Sequence, residues 1–292
     1  MKVTVIGAAG KMGQWFTHYF IKKGFKTVIY DINHKKLMNN DFLQQVTIVD
    51  NLISATKEAD IILISVPILL TAKMVLDVSK LVRDECIIIE IASFKEEIIN
   101  NCKKTLRKNV NYLSIHPMFG PGAKNLIGAK MISVTVNNEK QELSKTKTIF
   151  PEANVISTSA KEHDESMAII LSFTQFINFA YASVLSLKNL ENIRRLSGTS
   201  FNLQLTIAEA ILHDDPKFLA TLQTENKYVI PQINKFIDES KYLLELIIKN
   251  DHKKLSTKLR KLQIEIKKDK DYDTAYSKMY EIINASLENT LK

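Results

Sequence analysis

Hydrophobic and polar positions alternate in two different ways along the 292 residues of this chain. In the first half, short apolar runs are separated by amphipathic segments such as 11–23 and 71–82. Buried strands joined by crossover helices produce this pattern, so it predicts a parallel sheet covered by helices. The predicted strands are VTVI, KTVIY, IILISVP, CIIIEIA and VNYLSI, with two more at KMISVTV (130–136) and ANVIS (153–157).

The strand pattern ends near residue 160, and long helical patterns replace it. Ser159 and Glu162, in the segment SAKE, have the spacing of a capping box, which marks the start of a helix. We therefore predict an α/β fold class plus an all-α part. An α/β domain is expected over residues 1–158 and an all-helical domain over 159–292.

A glycine turn follows the first predicted strand in the segment VTVIGAAGKMGQWF. Strand, glycine turn, amphipathic helix, second strand and terminal acid follow one another as in a Rossmann-type dinucleotide-binding unit. The alternative is a glycine turn that serves sheet packing alone. We predict that the cofactor is held by Gly7, Ala9, Gly10, Lys11, Met12, Asp31, Ser65, Val66 and Pro67.

Asp31 ends the second predicted strand, where a carboxylate can accept hydrogen bonds from the ribose hydroxyls of a dinucleotide. A carboxylate there would repel the 2′-phosphate of NADP, so NAD is the predicted cofactor. Lys35 and Lys36 follow closely, and they keep NADP as the alternative.

Candidate chemistry lies where the other predicted strands end, because ligands of such sheets bind at the carboxyl ends of the strands. His116 ends one strand in the segment IHPMFGP, and Ser93 follows another in EIASFK. A histidine can take a proton from an alcohol while hydride leaves the same carbon. The alternative for His116 is a structural role at the strand end. His163 is expected to pack the joint between the domains, and Asp164 to favour its own helix N-terminus.

Composition and charge limit the binding partners that are expected. The net charge of +8 permits an anionic substrate or nucleic acid, but the basic run at 252–268 has apolar residues at helical spacing. Its lysines therefore fall on a solvated face, and no nucleic-acid partner is expected. No apolar run approaches the about 18 residues of a membrane span, so no membrane partner is expected.

The two cysteines, Cys86 and Cys102, are too few for a disulfide framework and lack neighbouring ligands at metal-binding spacing. No metal site is predicted. The first predicted strand begins directly after Met1 and Lys2, without the features of a secretory signal. A cytoplasmic location is therefore expected.

Several blocks of the chain resemble the prephenate and arogenate dehydrogenases of tyrosine biosynthesis. The blocks are GAAGKMGQWF, ISVPI, EIASFK, IHPMFGP, EHDESMA and FINFAYA, and they cover most of the chain in order. The resemblance implies that His116 accepts the hydrogen bond of the substrate's ring hydroxyl and that Ser93 contacts both groups. It also implies a homodimer formed through the helical domain.

Two positions depart from the family pattern. Gln175 stands where the family usually has a second histidine, and Asn202 where an arginine commonly grips the substrate carboxylate. Both are retained as substrate-binding candidates. Replacing a charged partner by an amide would lose about 1.5–3 kcal/mol of a charged hydrogen bond. The cations that could compensate are Arg194, Arg195, Lys124 and Lys130.

The function implied is NAD-dependent oxidative decarboxylation of the small molecule prephenate to 4-hydroxyphenylpyruvate. Hydride would leave C4 of the ring for NAD, and the ring carboxylate would leave as CO2. The alternatives are an arogenate dehydrogenase, a divergent NAD-dependent hydroxyacid dehydrogenase, or a non-catalytic NAD-binding regulator.

Overall fold

A computed structural model describes residues 1–37, 41–107 and 109–290 of the chain. In these residues one sheet of eight strands has the order β3-β2-β1-β4-β5-β6-β7-β8. The strands are β1 (Lys2–Ile6), β2 (Lys26–Tyr30), β3 (Val46–Ile48), β4 (Ile61–Ile64), β5 (Ile87–Glu90), β6 (Asn111–Pro117), β7 (Lys130–Val134) and β8 (Asn154–Thr158). The predicted α/β class with a helical second part is confirmed.

Helices connect these strands. They are α1 (Lys11–Lys22), α2 (His34–Leu37), α3 (Leu52–Thr56), α4 (Ile68–Ser79), α5 (Glu96–Thr105), α6 (Glu139–Ile149) and α7 (Ala160–Met167), with a 3-10 turn at Leu43–Gln45. The remaining helices are α8 (Thr174–Leu185), α9 (Leu190–Leu196), α10 (Thr199–Leu212), α11 (Pro216–Thr224), α12 (Val229–Ile248), α13 (His252–Ile266) and α14 (Ala275–Thr290). A π-helical segment, Ala168–Phe173, precedes α8, and a 3-10 turn, Tyr272–Thr274, precedes α14.

Two features of the sheet were not predicted from the sequence. The edge strand β3 was not predicted, because its three residues form no buried apolar run. Strand β7 pairs antiparallel with β6, a direction that the sequence pattern did not specify, and the other strand pairs are parallel as predicted. The connection at 118–129 contains turns instead of a crossover helix, so the chain returns beside β6 in the opposite direction.

The register of the parallel strands brings four residues into one row across the sheet. Ile6 pairs with Ile64, Ile64 with Glu90, and Glu90 with Ser114. These residues lie at or near the carboxyl ends of β1, β4, β5 and β6. The turns after these strands therefore meet at one edge, as expected for a parallel sheet.

The core that holds this edge in place is aromatic on the side of α1. Phe16 and Phe20 of α1 are fully buried and pack with Phe150 in one cluster with the apolar residues of β1, β2, β4 and β5. Full burial of a phenylalanine stabilises a fold by about 1.5–3 kcal/mol relative to exposure. The start of α1 is therefore fixed against the sheet.

Contacts between Cα atoms divide the chain into two compact units, Met1–Met167 and Ala168–Lys292. We call them the α/β unit and the helical unit. The domain boundary between residues 158 and 159 stays a prediction. At that point the Ser159 hydroxyl accepts a hydrogen bond from the Glu162 amide, while the Glu162 carboxylate accepts one from the Thr158 hydroxyl.

The helical segment Ala160–Leu185 contains an 18-residue window with a mean hydropathy of 1.6. By length and composition it could cross a membrane, although no continuous apolar run marks it in the sequence. One such helix is weak evidence for a span, since a core helix of a soluble protein passes the same test.

Candidate active site

The glycine turn after β1 has a shape that only glycine allows at two positions. Gly7 has a φ of +84°, and a Cβ atom there would lie 2.2 Å from the carbonyl oxygen of Ser65. A Cβ atom on Gly13 would lie 2.1 Å from the carbonyl oxygen of Gly7. These contacts let α1 approach the ends of β1 and β4 more closely than any side chain would permit.

Helix α1 begins directly after this turn. Its N-cap is Gly10, and no side chain accepts a hydrogen bond at the helix start. Acidic residues are also absent from its described first turn, which contains Lys11 and Met12. A helix start of this kind offers backbone N–H groups and its positive dipole end to a phosphate. The turn therefore fits the pyrophosphate of a dinucleotide.

Asp31 lies beside the same turn, at the end of β2. Its Oδ2 atom accepts a hydrogen bond from the Ala9 amide at 2.9 Å, and its Oδ1 atom accepts one from the Asn33 amide at 2.7 Å. The carboxylate is half-buried. Carboxylate oxygens have further lone pairs, so these contacts orient Asp31 and leave it able to accept hydrogen bonds from ribose hydroxyls.

The segment after β4 faces the glycine turn across the sheet edge. The Ser65 amide donates to the Ile6 carbonyl at 2.8 Å, and Pro67 is the N-cap residue of α4. The structure therefore brings Ser65, Val66 and Pro67 to the same edge as Gly7 and Gly10.

A buried charged pair lies beneath the ends of β5 and β6. Lys95 and Glu90 are both fully buried, and the Lys95 ammonium donates to Glu90 Oε1 at 2.8 Å. It also donates to the carbonyl of Ile115 at 2.8 Å. Glu90 further accepts hydrogen bonds from the Ser114 hydroxyl and, at 2.8 Å, from the Ala92 amide. The pair thus ties the segment after β5 to the residue that precedes His116.

Asp164 extends this hydrogen-bond network to the start of α5. Its carboxylate accepts hydrogen bonds from the Lys95 amide at 2.9 Å and the Glu96 amide at 2.8 Å. These amides lie at the N-terminus of α5, where a negative charge is favoured. Asp164 was expected to favour the start of its own helix, α7. The structure shows that it caps α5 instead and so joins the two helices.

His163 connects Asp164 to His116. Its Nδ1 atom lies 2.7 Å from Asp164 Oδ1, and its Nε2 atom lies 2.9 Å from Nδ1 of His116. Relative exposure is only 1% for His163 and 7% for His116. The three side chains therefore form a buried chain of hydrogen bonds that ends at the ring of His116.

Burial disfavours the charged form of both histidines. It lowers the pKa of His116 well below the ordinary value, and the nearby His163 and Lys95 lower it further. Burial also lowers the pKa of His163, although its hydrogen bond with Asp164 opposes this. Burial likewise lowers the pKa of Lys95 against the opposing effect of Glu90. Both imidazoles are thus favoured as neutral groups, which can accept as well as donate.

The other predicted site residues lie in two places. Ser93 is half-buried in the segment between β5 and α5, three residues after Glu90. Gln175 and Asn202 belong to the helical unit. Gln175 is buried in α8, with its Oε1 atom 3.5 Å from Nε2 of Gln223, whereas Asn202 is exposed on α10 and accepts a hydrogen bond from Ser197 at 2.6 Å.

Of the cations considered for the substrate, Arg194 has a partner already, because its guanidinium lies 2.6 Å from Glu209. Lys130 is the first residue of β7, and Lys124 lies in the turn region before it.

Among the residues that the structure describes, no cluster of three or more His, Cys, Asp or Glu side chains could hold a metal ion.

Sequence reasoning missed the Lys95–Glu90 pair behind His116 and gave His163 and Asp164 other roles. Lys95 and Glu90 flank Ser93 in EIASFK, and His163 and Asp164 lie in EHDESMA, so all four stood in noted blocks. A charged residue inside an apolar run, such as Glu90 in CIIIEIA, is the signal that could have identified the pair, since a buried charge needs a partner.

The fold and this edge define an α/β protein with a glycine turn of the dinucleotide-binding kind after β1 and a buried pair of histidines on β6 and α7. Family models give the more specific result. The nucleotide-binding domain of prephenate dehydrogenase matches residues 16–157, and the dimerization domain of prephenate dehydrogenase matches residues 159–261. The chain belongs to the prephenate dehydrogenase family.

Relatives agree with this assignment. A probable arogenate/prephenate dehydrogenase of Methanocaldococcus jannaschii is 26% identical over 86% of this chain and 58% of its own length. The T-protein of Enterobacter agglomerans is also 26% identical, over 85% of this chain and 63% of its own length. The chain thus spans about three fifths of the length of these relatives.

Two solved structures show the same fold. Prephenate dehydrogenase from A. aeolicus, in complex with hydroxyphenyl propionate and NAD+, superposes with a TM-score of 0.74 at 20% identity. The match covers 92% of this chain and 98% of that one. Synechocystis arogenate dehydrogenase superposes with a TM-score of 0.67 at 16% identity, over 92% of this chain and 99% of that one.

Proposed function

We propose that this protein is an NAD-dependent prephenate dehydrogenase, which converts prephenate to 4-hydroxyphenylpyruvate in the cytoplasm as a step of tyrosine biosynthesis. The observation that carries the proposal is His116, a buried neutral histidine at the edge that also holds the glycine turn. A neutral imidazole at that edge is a hydrogen-bond acceptor for an alcohol whose carbon gives up hydride.

The reaction sets a modest demand on that acceptor. The C4–H bond breaks as hydride leaves, the bond to the ring carboxylate breaks as CO2 leaves, and that electron pair completes the aromatic ring. The ring oxygen ends as a phenol, so no net proton is released. His116 therefore needs to accept a strong hydrogen bond, or the proton itself, from the C4 hydroxyl while that group becomes acidic. The proton is then on the phenol oxygen at the end of the reaction.

The remaining residues of the edge orient the reactants. Bound NAD would supply the hydride acceptor, with Gly7, Gly10 and the start of α1 holding its phosphates. Ser93 is assigned to the ring hydroxyl beside His116. Gln175 and Asn202 are assigned to the carboxylates of the substrate, as neutral hydrogen-bond partners.

NAD is proposed over NADP because of Asp31. Its carboxylate is held beside the glycine turn by the amides of Ala9 and Asn33. A 2′-phosphate would bring a second negative charge to this position, whereas ribose hydroxyls would donate to it.

Arogenate is the second candidate substrate. It is favoured by one observation, the neutral side chains Gln175 and Asn202 at positions where charged partners were expected. Arogenate carries an ammonium group beside its side-chain carboxylate, so its side chain has no net charge and has less need of an arginine than that of prephenate.

We also infer a homodimer formed through the helical unit. The last long helices leave large apolar side chains exposed in the single chain, among them Leu244, Ile247 and Ile248 of α12 and Leu259 and Ile266 of α13. Exposed apolar surface of this extent is typical of an interaction face. Sedimentation of the purified protein at two concentrations would distinguish a dimer from a monomer.

The deciding experiment is NAD reduction, followed by absorbance, with prephenate and arogenate offered separately to the purified protein. A higher kcat/KM with prephenate supports the proposal. A higher kcat/KM with arogenate selects the second candidate, and no reduction with either substrate rejects both in favour of another hydroxyacid or a non-catalytic NAD-binding role.

A further inference from the structure

Within the described ranges of the chain, the side-chain hydrogen bond of His116 is made through one ring nitrogen. Its Nδ1 atom lies 2.9 Å from Nε2 of His163, and the two rings meet at an interplanar angle of 62° with their centroids 5.0 Å apart. A contact of this length between two ring nitrogens needs one proton between them. The position of that proton decides which nitrogen of His116 can accept a hydrogen bond from a substrate.

Asp164, at the other end of this series of hydrogen-bonded side chains, decides the position of that proton. An ionised carboxylate can only accept, so the contact of 2.7 Å between Asp164 Oδ1 and His163 Nδ1 places a proton on Nδ1 of His163. Neutral His163 then has a lone pair on Nε2. The shared proton must therefore sit on Nδ1 of His116, which leaves the lone pair of His116 on Nε2.

The opposite arrangement of neutral rings fails at one contact or the other, whichever tautomer His163 adopts. If Nε2 of His116 carried the proton, its Nδ1 lone pair would face the Nε2 lone pair of His163. Turning His163 to its other tautomer would relieve that contact, but a lone pair would then face the Asp164 carboxylate. Charging His163 would satisfy both contacts, yet burial disfavours the charged ring and lowers the pKa of His163.

Asp164 is itself fixed by the fold. The backbone amides of Lys95 and Glu96, at the start of α5, donate to its two oxygens at 2.8–3.1 Å. Its orientation therefore depends on the join between α5 and α7. Rotating the carboxylate away from His163 would break hydrogen bonds to buried amides, which is costly.

We propose that His163 is a positioning residue, oriented by Asp164, which keeps His116 in the tautomer whose Nε2 atom accepts the substrate hydroxyl. His163 touches neither substrate nor cofactor in this role. The consequence for the reaction rests on the proposed function, whereas the tautomer itself is a property of the protein alone.

The tautomer can be measured without substrate. Nitrogen NMR of protein labelled with 15N-histidine distinguishes a ring nitrogen that carries a proton from one that does not. The chain has six histidines, and the signals of His116 are those lost in His116→Asn. We expect a protonated Nδ1 and an unprotonated Nε2 in the wild type. A protonated Nε2 in the neutral ring would overturn the proposal.

Two substitutions of His163 separate positioning from packing. His163→Leu removes the acceptor for Nδ1 of His116, so the Nε2-protonated form should appear. His163→Gln can still present a carbonyl oxygen to His116 and should keep more of the wild-type tautomer. The same tautomer in wild type and His163→Leu would overturn the role of His163. Fluorescence of Trp15, the one tryptophan of the chain, checks that the α/β unit of each variant is folded.

His18→Gln is the matched control. His18 also bonds to an aspartate, with Nε2 3.0 Å from Asp41, but its side chain is 51% exposed on α1. This substitution should leave the His116 signals unchanged. In turnover, His163→Leu should lower kcat by about 10²-fold with little change in KM for NAD, and His163→Gln should lower it less.

The NMR and turnover measurements test the role of His163 and the proposed function separately. Absence of turnover by the wild type with both prephenate and arogenate rejects the proposed function, and the NMR result still decides the tautomer. A wild-type tautomer as expected, with full kcat in His163→Leu, would reject the role of His163 in the reaction and leave the proposed function in place.

Discussion

The two units bury polar groups of different kinds. At the strand edge of the α/β unit, the buried groups are titratable and linked: Glu90, Lys95, His116, His163 and Asp164. In the described part of the helical unit, the buried polar side chains are Ser172, Gln175, Asn178 and Asn226, which are all neutral. On the proposed function, proton chemistry is therefore expected at the titratable groups of the α/β unit.

The two units also differ in the hydrogen bonds that their buried polar groups make. In the α/β unit, Lys95 and Glu90 bond to each other and to backbone. In the helical unit, Asn178 accepts from Gln204 at 2.8 Å, and Oε1 of Gln223 is a buried atom without a hydrogen-bond partner in the described residues. A buried amide oxygen without a partner is costly, so it is a natural acceptor for a ligand or water.

His116→Asn should have the largest effect on turnover of the substitutions considered, because it removes the proposed acceptor of the substrate's hydrogen bond and keeps a polar side chain. We expect kcat to fall by about 10²–10⁴-fold with little change in NAD affinity. In the wild type, kcat/KM should rise with pH through the pKa of the acceptor. Since burial lowers that pKa below the ordinary 6.5, the acidic limb should lie below pH 6.5.

The pH profile and the turnover of His116→Asn are measured together, with NAD binding followed by fluorescence quenching of Trp15. The acidic limb should disappear in the variant. Comparable turnover in His116→Asn and the wild type would reject the acceptor role, and weakened NAD binding of similar size would show that the substitution disturbed the cofactor site.

Lys95→Met tests whether the buried charges of the α/β unit depend on one another. The substitution leaves Glu90 buried without its cation, which should lower the free energy of unfolding by about 3–5 kcal/mol. Denaturant unfolding followed by Trp15 fluorescence measures this in the α/β unit. Lys95→Met combined with Glu90→Gln should recover much of the loss, because the unpaired charge is then gone.

Lys73→Met is the control for that experiment. Lys73 also pairs with a carboxylate, with Nζ 2.6 Å from Asp77, but its side chain is 78% exposed. An exposed pair of this kind contributes only about 0–1 kcal/mol. Equal losses for Lys73→Met and Lys95→Met would show that burial of the Lys95–Glu90 pair has no special importance.

The sequence predicted those parts of the α/β unit that depend on local pattern. The glycine turn, α1 and β2 follow one another within thirty residues, and β2 lies at the predicted KTVIY. The antiparallel direction of β7 was not predicted, because an apolar run has the same appearance in a parallel and an antiparallel strand. The short strand β3 was missed because it lies at the edge with little burial.

The network behind His116 could not be predicted because its contacts are distant in the sequence. His116 and His163 are 47 residues apart, and Lys95 and Asp164 are 69 apart. Each residue alone has an ordinary structural explanation, as His163 had in the packing of a joint. Only the fold shows that α5, α7 and β6 bring them together.

Asn202→Arg sharpens the comparison from the helical side by placing a positive charge at an exposed substrate-binding candidate of that unit. If Asn202 faces the substrate carboxylate, a charged hydrogen bond of about 1.5–3 kcal/mol should raise kcat/KM for prephenate by about 10- to 150-fold. Preference for prephenate over arogenate should increase. Thr206→Arg, at an exposed position one turn further along α10, is the control for added charge. Equal gains in both variants would indicate general electrostatic attraction instead of a contact at Asn202.

Asp31→Ser should give the smallest effect, because it alters cofactor choice and not the buried network. Serine can still bond to ribose but no longer repels a 2′-phosphate, so the ratio of kcat/KM for NAD to that for NADP should fall about tenfold, or roughly 1.4 kcal/mol. Asp31 also accepts the hydrogen bond of the Ala9 amide, which predicts some loss of affinity for both cofactors. Asp41→Ser, which changes an exposed aspartate bonded to His18, controls for the loss of one negative charge. If the ratio stayed unchanged in Asp31→Ser, or fell equally in Asp41→Ser, selection of NAD could not be assigned to Asp31. The chemistry at His116 would remain a separate question, because it depends on a different set of contacts.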